Sequence, residues 1–446
     1  MPLKVVQRLR NDGGLWQKFS PHRLKILLDA QGKVVPARFI WPWWLIARES
    51  VRVRLQRALL PEDYPASVHR NYLAYSGWNF VHMIFSSTMG VLSTQSLLFG
   101  LGLSSGTSSL ALSSTINWIL KDGLGQLGGI SLVAYLGGRF DVQAQRYRFL
   151  AAVFLKISCF LEMLVPLWPQ GFILTAALAN VVKNVSWMAT SATRAQIQRH
   201  FALRDNLGDI SGKTASQNTL ASLIGTGLGV LVSSLFLSGS GILAETIVMR
   251  CLVLSVPLSL ISLWMCYQSC TFAISPRITL SRFHTLCRHL FAEVFSRRSL
   301  QPCQETLGQL KRYILCPETI VRREPILFRP VSPAVPVLID PDVLDLVLDD
   351  AERDCPFWIR LKDDSTISIW FAVTAHESDI LRGLFSVELI RYFVSQKIPF
   401  AMESIHDLVS TMFPVLETAL VDRGWCLDDI NVGPRRPIRI LTDQDD

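Results

Sequence analysis

Long apolar runs dominate the chain between residues 81 and 268, whereas shorter apolar stretches alternate with charged residues on both flanks. An α-helix rises about 1.5 Å per residue, so about 20 apolar residues cross a hydrocarbon core about 30 Å thick. The runs of this length cover residues 81–103, 110–137, 149–168, 171–193, 215–237 and 242–268. This pattern predicts an all-α polytopic membrane domain of about six helices.

The pattern changes after the last of these runs. Apolar and polar residues alternate on both sides of Asp363 and Asp364, which predicts two strands joined by a turn. The remaining predicted elements are amphipathic helices over 376–396 and 402–423 and a short strand over 436–441. Together these elements predict a small α+β soluble domain.

These patterns divide the chain into four regions. They are a basic N-terminal region (1–70), the six-helix membrane domain (71–270), a basic helix-like stretch with a proline-rich linker (271–345) and the α+β domain (346–446). Proline interrupts both helices and central strands, so the linker is expected to separate two folded parts.

The distribution of basic residues orients the six predicted spans. The loops near 104–109, 169–170 and 238–241 carry no Lys or Arg, whereas the loops between them carry several. Basic loops stay on the cytoplasmic side, so both termini are expected on the cytoplasmic or an equivalent side of the membrane. The basic, acid-poor start is also typical of an organellar presequence, so the sequence leaves open which membrane is involved.

Composition argues against several other classes of function. The chain has nine cysteines without paired spacing and eight scattered histidines, so neither a metal site nor another cofactor site is predicted. The net charge of +8 comes with no nucleic-acid recognition motif. The sequence therefore favours a protein that is not an enzyme and that binds lipid rather than nucleic acid.

Two groups of glycines lie within the predicted spans. Gly123, Gly125 and Gly128 fit the spacing of a dinucleotide-binding loop, but no strand precedes them and no acid follows at the required distance. Small residues let transmembrane helices approach closely, which is the preferred interpretation. The residues assigned to helix packing are Gly123, Gly125, Gly128, Gly129, Gly225 and Gly229.

Charged residues inside the spans are the candidates for a ligand site, because charge is costly in a hydrocarbon core. Depths counted along the helices group Lys121, Asp122, Lys156 and Lys183 in one layer. We expect Asp122 to pair with Lys156 or Lys183, which leaves Lys121 to meet a small anion. The alternative is a purely structural network of ion pairs.

A second pair of charges lies at a shallower level. Glu162 and Arg250 share a depth and carry opposite charges, so the sequence predicts a structural ion pair between the third and sixth spans.

The loop after the second span carries a further motif. Gly137, Asp141 and Arg146 resemble the cytoplasmic loop motif of major facilitator transporters, although Ala144 replaces the second glycine of that motif. The resemblance implies that the six spans equal half of such a bundle. The alternative is a charged loop that anchors the ends of two helices.

Several segments together resemble the root UVB sensitive family of membrane proteins. The quoted matches are LPEDYPASVHRNYLAYSGWNFVHMIFSSTMGVLSTQSLLFGLGL, INWILKDGLGQLGGI, DISGKTASQNTLASLIGTGLGVLV and ALVDRGWCLDDINVGP. The resemblance covers roughly Leu60 to Pro434, and the Lys-Asp-Gly-Leu-Gly core is its most specific part. It implies a link to UV-B responses in plants and to vitamin B6 balance, without a settled biochemical activity.

Two functions are compatible with these features. The first is a carrier for a small anionic metabolite, for which the family resemblance implies a phosphorylated form of vitamin B6. The second is a membrane scaffold whose C-terminal domain binds a partner protein, either a paralogue or a second copy of the chain.

The alternation of loop charge gives a topological prediction. Cysteines introduced at positions 106 and 240 should react with an impermeant thiol reagent from one side of the membrane, whereas cysteines at 143 and 300 should be protected from that side. Labelling of positions 106 and 143 from the same side would contradict the orientation.

Overall fold

The computed structural model describes residues 51–102, 111–140, 143–236, 244–295, 311–324, 326, 336–339, 355–362 and 366–431. Contacts divide the chain into two units, residues 1–58 and 59–446. Of the first unit, the described part is the beginning of helix α1 (Val51–Leu59). The second unit contains all the remaining elements.

Six long helices follow in the second unit, and each overlaps one of the predicted spans. They are α2 (Tyr72–Gly100), α3 (Ala111–Phe140), α4 (Ala144–Leu164), α5 (Phe172–Phe201), α6 (Leu207–Phe236) and α7 (Ala244–Phe272). By length and composition, four described segments are long and apolar enough to cross a membrane. These are Ala144–Leu167, Phe172–Phe201, Leu207–Phe236 and Glu245–Phe272.

The six helices bury many small and polar side chains and expose many large apolar ones. On α7, the side chains of Ser255, Ser259 and Ser262 are buried, whereas Leu260 is 62% exposed. On α6, Leu223 is 69% exposed. Soluble monomers rarely expose large contiguous apolar patches. The outer surface of these helices therefore matches hydrocarbon better than water.

A second body of helices and strands follows α7. Its helices are α8 (Leu280–Val294), α9 (Pro317–Arg323), α10 (Glu377–Ser395) and α11 (Met402–Asp422). Its strands are β1 (Arg277–Thr279), β2 (Val337–Ile339), β3 (Phe357–Lys362), β4 (Thr366–Phe371) and β5 (Cys426–Asn431). The predicted hairpin and the two predicted helices of the α+β region are thus present, and the predicted strand over 436–441 lies outside the described residues.

The strands of this C-terminal body form two small sheets. β4 lies between β2, which is parallel to it, and β3, which is antiparallel to it with Phe357 opposite Phe371. β1 pairs in parallel with β5, so the chain just after α7 joins the chain that follows α11.

The predicted boundary of the C-terminal domain at residue 346 is too late. Helix α8 contributes Phe283 and Leu290 to the same apolar core as Trp370 and Phe385. This helix is amphipathic, and its apolar face can be buried only against the elements that follow the linker. The C-terminal body therefore begins at β1.

Glycines allow two pairs of helices to pack closely. A Cβ atom at Gly225 would lie 2.3 Å from the Ile84 carbonyl oxygen of α2, and one at Gly229 would lie 2.7 Å from the Val91 Cβ atom. Both distances are shorter than van der Waals contact, so α6 can approach α2 only where these side chains are missing.

The glycines of α3 pack in the same way against α5. A Cβ atom would lie 2.3 Å from the Asn180 side chain at Gly125, 2.7 Å from Val181 at Gly128 and 2.9 Å from Asn184 at Gly129. Gly123 has no such neighbour within 4 Å. Close packing therefore explains three glycines of this group and not the first.

The two glycine environments on α6 predict different effects of the same substitution. Gly225→Ala should lower stability by about 1–3 kcal/mol, because the added methyl group meets a backbone oxygen. Gly227→Ala is the matched control, since a Cβ atom at Gly227 has no neighbour within 4 Å. The thermal unfolding midpoint of the purified chain in detergent would test this. Equal midpoints for the two variants would contradict the packing argument.

Candidate functional site

A stripe of polar residues runs along α2 and faces the interior of the six helices. Asn79, His82, Ser86 and Ser93 recur at intervals of three, four and seven residues, which keeps them on one side of the helix. Asn79, His82 and Ser93 are buried. Hydrogen bonds from this stripe reach α4, α6 and α7, as described below.

Helix α4 places three charged side chains against this stripe. Arg148, Lys156 and Glu162 are 2%, 3% and 1% exposed. They are separated by eight and six residues, so they span about 21 Å along the helix axis. We call these three residues, together with the four of the α2 stripe, the polar column.

Arg148 forms the first contact of the polar column. Its Nη2 atom donates a hydrogen bond to Asn79 Oδ1 at 3.0 Å, and Asn79 Nδ2 donates to Asn218 Oδ1 of α6 at 3.1 Å. Arg148 also interacts with the Tyr75 hydroxyl. Among the described residues, no carboxylate lies within 4.0 Å of the Arg148 guanidinium.

Lys156 lies in the middle of the polar column. Its Nζ atom donates to Ser86 Oγ at 2.9 Å. In the part of the chain that the structure describes, its ammonium group also has no carboxylate within 4.0 Å. Arg148 and Lys156 are thus two buried cations whose described hydrogen-bond partners are neutral.

His82 lies between these two cations along α2. Its Nδ1 atom is 2.9 Å from the Ser262 carbonyl oxygen and 3.0 Å from Ser262 Oγ. These contacts join α2 to α7 through a buried polar group that can both donate and accept a hydrogen bond.

At the other end of the polar column, Glu162 is paired. Its carboxylate is 2.5 Å from Lys183 Nζ of α5 and accepts a hydrogen bond from the Ser93 hydroxyl. The predicted pair between Glu162 and Arg250 is therefore wrong. Arg250 is exposed, and its Nη1 atom donates to the Phe236 carbonyl oxygen at 3.1 Å. Depth along a helix does not fix the direction in which a side chain points, and the rotation of α7 turns Arg250 outward.

Lys121 and Asp122 pair with each other instead of with the polar column. Lys121 Nζ lies 2.7 Å from Asp122 Oδ1 and 4.3 Å from the centre of the Trp118 ring. Asn180 Nδ2 donates to Asp122 Oδ1 at 3.1 Å. The expected pairing of Asp122 with Lys156 or Lys183 is thus wrong.

The reason is the length of the lysine side chain, which reaches the carboxylate of the next residue. The hydrogen bond from Asn180 fastens this pair to α5, beside Gly125. Of the four residues predicted to bind a ligand, Lys183 is neutralised by Glu162, and Lys121 and Asp122 neutralise each other. Lys156 is the member that keeps an uncompensated charge.

The predicted loop motif is described only in part. Gly137 belongs to α3, and Arg146 Nη1 donates to Gln143 Oε1 at 3.2 Å near the start of α4. Asp141 lies outside the described residues. The half-bundle that the motif implies therefore stays a prediction.

The sequence reasoning missed four residues of this region: Asn79, His82, Arg148 and Asn218. Arg148 precedes the third predicted span, which begins at residue 149, and therefore counts as a loop charge in the sequence, whereas in the structure it lies in the second turn of α4. The polar stripe of α2 was hidden within an apolar run, because its residues alternate with apolar ones at helical spacing. That three-to-four residue spacing was the signal that could have found them.

The C-terminal body contains its own buried charged cluster. Glu388 of α10 contacts His284 of α8 at 2.6 Å and also pairs with Arg391. Burial lowers the pKa of the Arg391 guanidinium and raises the pKa of the nearby Cys287 thiol well above its usual value. A fully buried, protonated thiol is a weak nucleophile, so this cluster serves to join α8 to α10. Within the described ranges, no three His, Cys, Asp or Glu residues form a group that could hold a metal ion.

The Glu162–Lys183 contact predicts a strong coupling in stability. Removing one partner of a buried ion pair strands the other charge and costs about 3–5 kcal/mol. Glu162→Gln and Lys183→Gln should each lower the thermal midpoint in detergent, and the double variant should recover part of the loss. Arg250→Gln is the control and should change little. Additive losses in the double variant would contradict a direct pair.

Comparison with known proteins shows which family the chain resembles. A family model described as "Vitamin B6 photo-protection and homoeostasis domain" matches residues 46–293, which include the polar column and all six long helices. No solved structure matches the chain.

Curated relatives include proteins of Arabidopsis thaliana and of Dictyostelium discoideum. Protein root UVB sensitive 4 of Arabidopsis thaliana is 40% identical over 172 residues, which cover 39% of this chain and 33% of the relative. Protein root UVB sensitive 2, chloroplastic, of the same plant is 37% identical over 174 residues, covering 39% of each chain. RUS family member 1 of Dictyostelium discoideum is 34% identical over 176 residues, covering 39% of this chain and 33% of the relative.

These matches span about a third to two fifths of the length of the relatives. The family model, in contrast, covers more than half of this chain. The chain belongs to the root UVB sensitive family, whose domain is associated with vitamin B6 photo-protection and homoeostasis.

Proposed function

We propose that this protein is an integral membrane carrier for a small anionic metabolite. The observation that carries the proposal is the pair of buried cations, Arg148 and Lys156, which have neutral hydrogen-bond partners in the described structure. An ionised group inside an apolar body is costly unless an opposite charge compensates it. An anion bound between α2 and α4 would supply that charge.

The environment of the two cations supports a membrane carrier rather than a surface site. The exposed face of the helices is apolar, and the polar column lies inside them. Its length of about 21 Å is most of the thickness of a hydrocarbon core. Ionisable residues in such interiors commonly mark the path of a solute.

The lining of the polar column also fits a solute that must be released again. Asn79, His82 and Ser86 are hydrogen-bonding groups without a permanent charge, so they can hold a polar ligand without the strength of a full ion pair. The permanent pair of Glu162 and Lys183 lies beyond them and contributes no net charge.

The family description supports a particular class of anion. The matching domain is described by vitamin B6 homoeostasis, and the phosphorylated forms of that vitamin carry a dianionic phosphate monoester. Pyridoxal 5′-phosphate is therefore the proposed solute to test first. Six helices equal half of a twelve-helix carrier, so a second copy or a paralogue is the proposed partner.

Solute flux tests the proposal. Wild-type chain reconstituted in liposomes should take up labelled pyridoxal 5′-phosphate faster than protein-free liposomes. Hydrogen bonds to charged groups contribute about 1.5–3 kcal/mol, so Arg148→Gln and Lys156→Gln should each lower the uptake rate about tenfold or more. Lys121→Gln is the matched control, because Lys121 is a buried lysine of α3 whose charge is already paired with Asp122.

One outcome would contradict the proposed site, and another would contradict the carrier function itself. Uptake that survives in Arg148→Gln and Lys156→Gln but fails in Lys121→Gln would move the site to α3. A correctly folded wild-type chain that moves no organic or inorganic anion would favour the membrane scaffold instead.

A further inference from the structure

The hydrogen-bond chain that begins at Arg148 runs in one direction. Arg148 donates to Asn79, and Asn79 donates to Asn218. The amide group of Asn218 therefore uses its oxygen as the acceptor and keeps both N–H groups of Nδ2 for something else. This series of hydrogen bonds therefore starts at the Arg148 guanidinium and ends at the unused N–H groups of Asn218 Nδ2.

That terminal donor has no acceptor among the described residues. Asn218 is 9% exposed, and its Nδ2 atom is buried without a hydrogen-bond partner. A buried N–H group without an acceptor is destabilising, so native structures rarely keep one without a reason. Here the donor lies two hydrogen bonds away from a buried guanidinium.

Around Arg148, hydrogen-bond donors outnumber acceptors, and positive charge is in excess. An Arg guanidinium has five N–H groups, and Asn79 and Tyr75 account for two interactions of Arg148. Arg194 of α5 lies within electrostatic range of Arg148. Such a site needs a ligand that only accepts hydrogen bonds and carries more than one negative charge.

We propose that Arg148 and Asn218 form the subsite for the phosphate group of the ligand, a phosphate monoester. This inference rests on the proposed function. It adds that the phosphate group lies at the Arg148 end of the polar column. A phosphate monoester has three terminal acceptor oxygens and a charge near −2, which matches a bidentate guanidinium plus the Asn218 amide. The rest of the ligand extends along α2 toward His82 and Lys156.

Ligand binding to the purified chain in detergent tests the subsite without requiring transport. Inorganic phosphate and pyridoxal 5′-phosphate should raise the thermal midpoint of the wild type, whereas pyridoxal without its phosphate should raise it much less. Asn218→Asp keeps the acceptor for Asn79 and replaces the free donor by a negative charge. It should weaken the apparent affinity for both phosphate compounds by about tenfold or more.

Asn71→Asp is the matched control, because Asn71 Nδ2 is also buried without a partner but takes no part in the hydrogen-bond chain of Arg148. It should bind phosphate compounds as the wild type does. If Asn218→Asp fails to fold, Asn218→Ala removes the amide donor without adding charge and should weaken phosphate binding several-fold.

A phosphate could also belong to a lipid headgroup. Native mass spectrometry of the delipidated chain distinguishes the sources: bound pyridoxal 5′-phosphate that Asn218→Asp abolishes supports the subsite, whereas retained phospholipid that competes with it assigns the site to lipid and overturns the proposal. Equal phosphate affinity in wild type and Asn218→Asp would overturn it as well, since a water molecule would then satisfy Asn218.

The binding and flux experiments separate the two proposals. Phosphate binding that depends on Asn218, together with no measurable flux, would support the phosphate subsite and contradict the carrier function. Flux that depends on Lys156 but is unchanged in Asn218→Asp would support the carrier function and contradict the phosphate subsite at Arg148 and Asn218.

Discussion

A charge that is buried in a body of apolar helices must be compensated, and the arrangement of helices α2 to α7 follows from how each charge meets that requirement. The charge of Glu162 is compensated by Lys183, and its carboxylate also accepts a hydrogen bond from Ser93. These contacts join α4 to α5 and α2. The charge of Lys121 is compensated by Asp122 on the same helix. Arg148 and Lys156 have only neutral partners in the described structure, and the proposed ligand is the remaining means of compensation.

Helix α2 is central because it supplies most of these contacts. Its polar stripe bonds to α4 through Asn79 and Ser86, to α6 through Asn79, and to α7 through His82. The same helix receives Gly225 and Gly229 of α6 at distances that admit no side chain. Close glycine packing and a polar stripe support each other, because short distances between backbones allow side chains such as Asn79 and Asn218 to meet.

The C-terminal body is joined to the six helices at more than one point along the chain. β1 follows α7 after four residues, and Glu318 of α9 pairs with Arg70 just before α2. The C-terminal body therefore contacts the chain at the start of the helix that carries the polar stripe.

The sequence determined the order of most elements and the bounds of the two C-terminal helices, because apolar periodicity and turn residues act locally. The helices at Glu377–Ser395 and Met402–Asp422 and the hairpin around Asp363 were predictable for that reason. The pairing of charged side chains was not predictable, because the depth of a residue along a helix does not determine how the helix is rotated or which helices lie beside it. Only the tertiary structure turned Arg250 outward, brought Glu162 to Lys183, and gathered Arg148, Asn79 and Asn218 from three helices into one site. Those contacts join residues up to 139 positions apart, and their geometry depends on packing that no local pattern encodes.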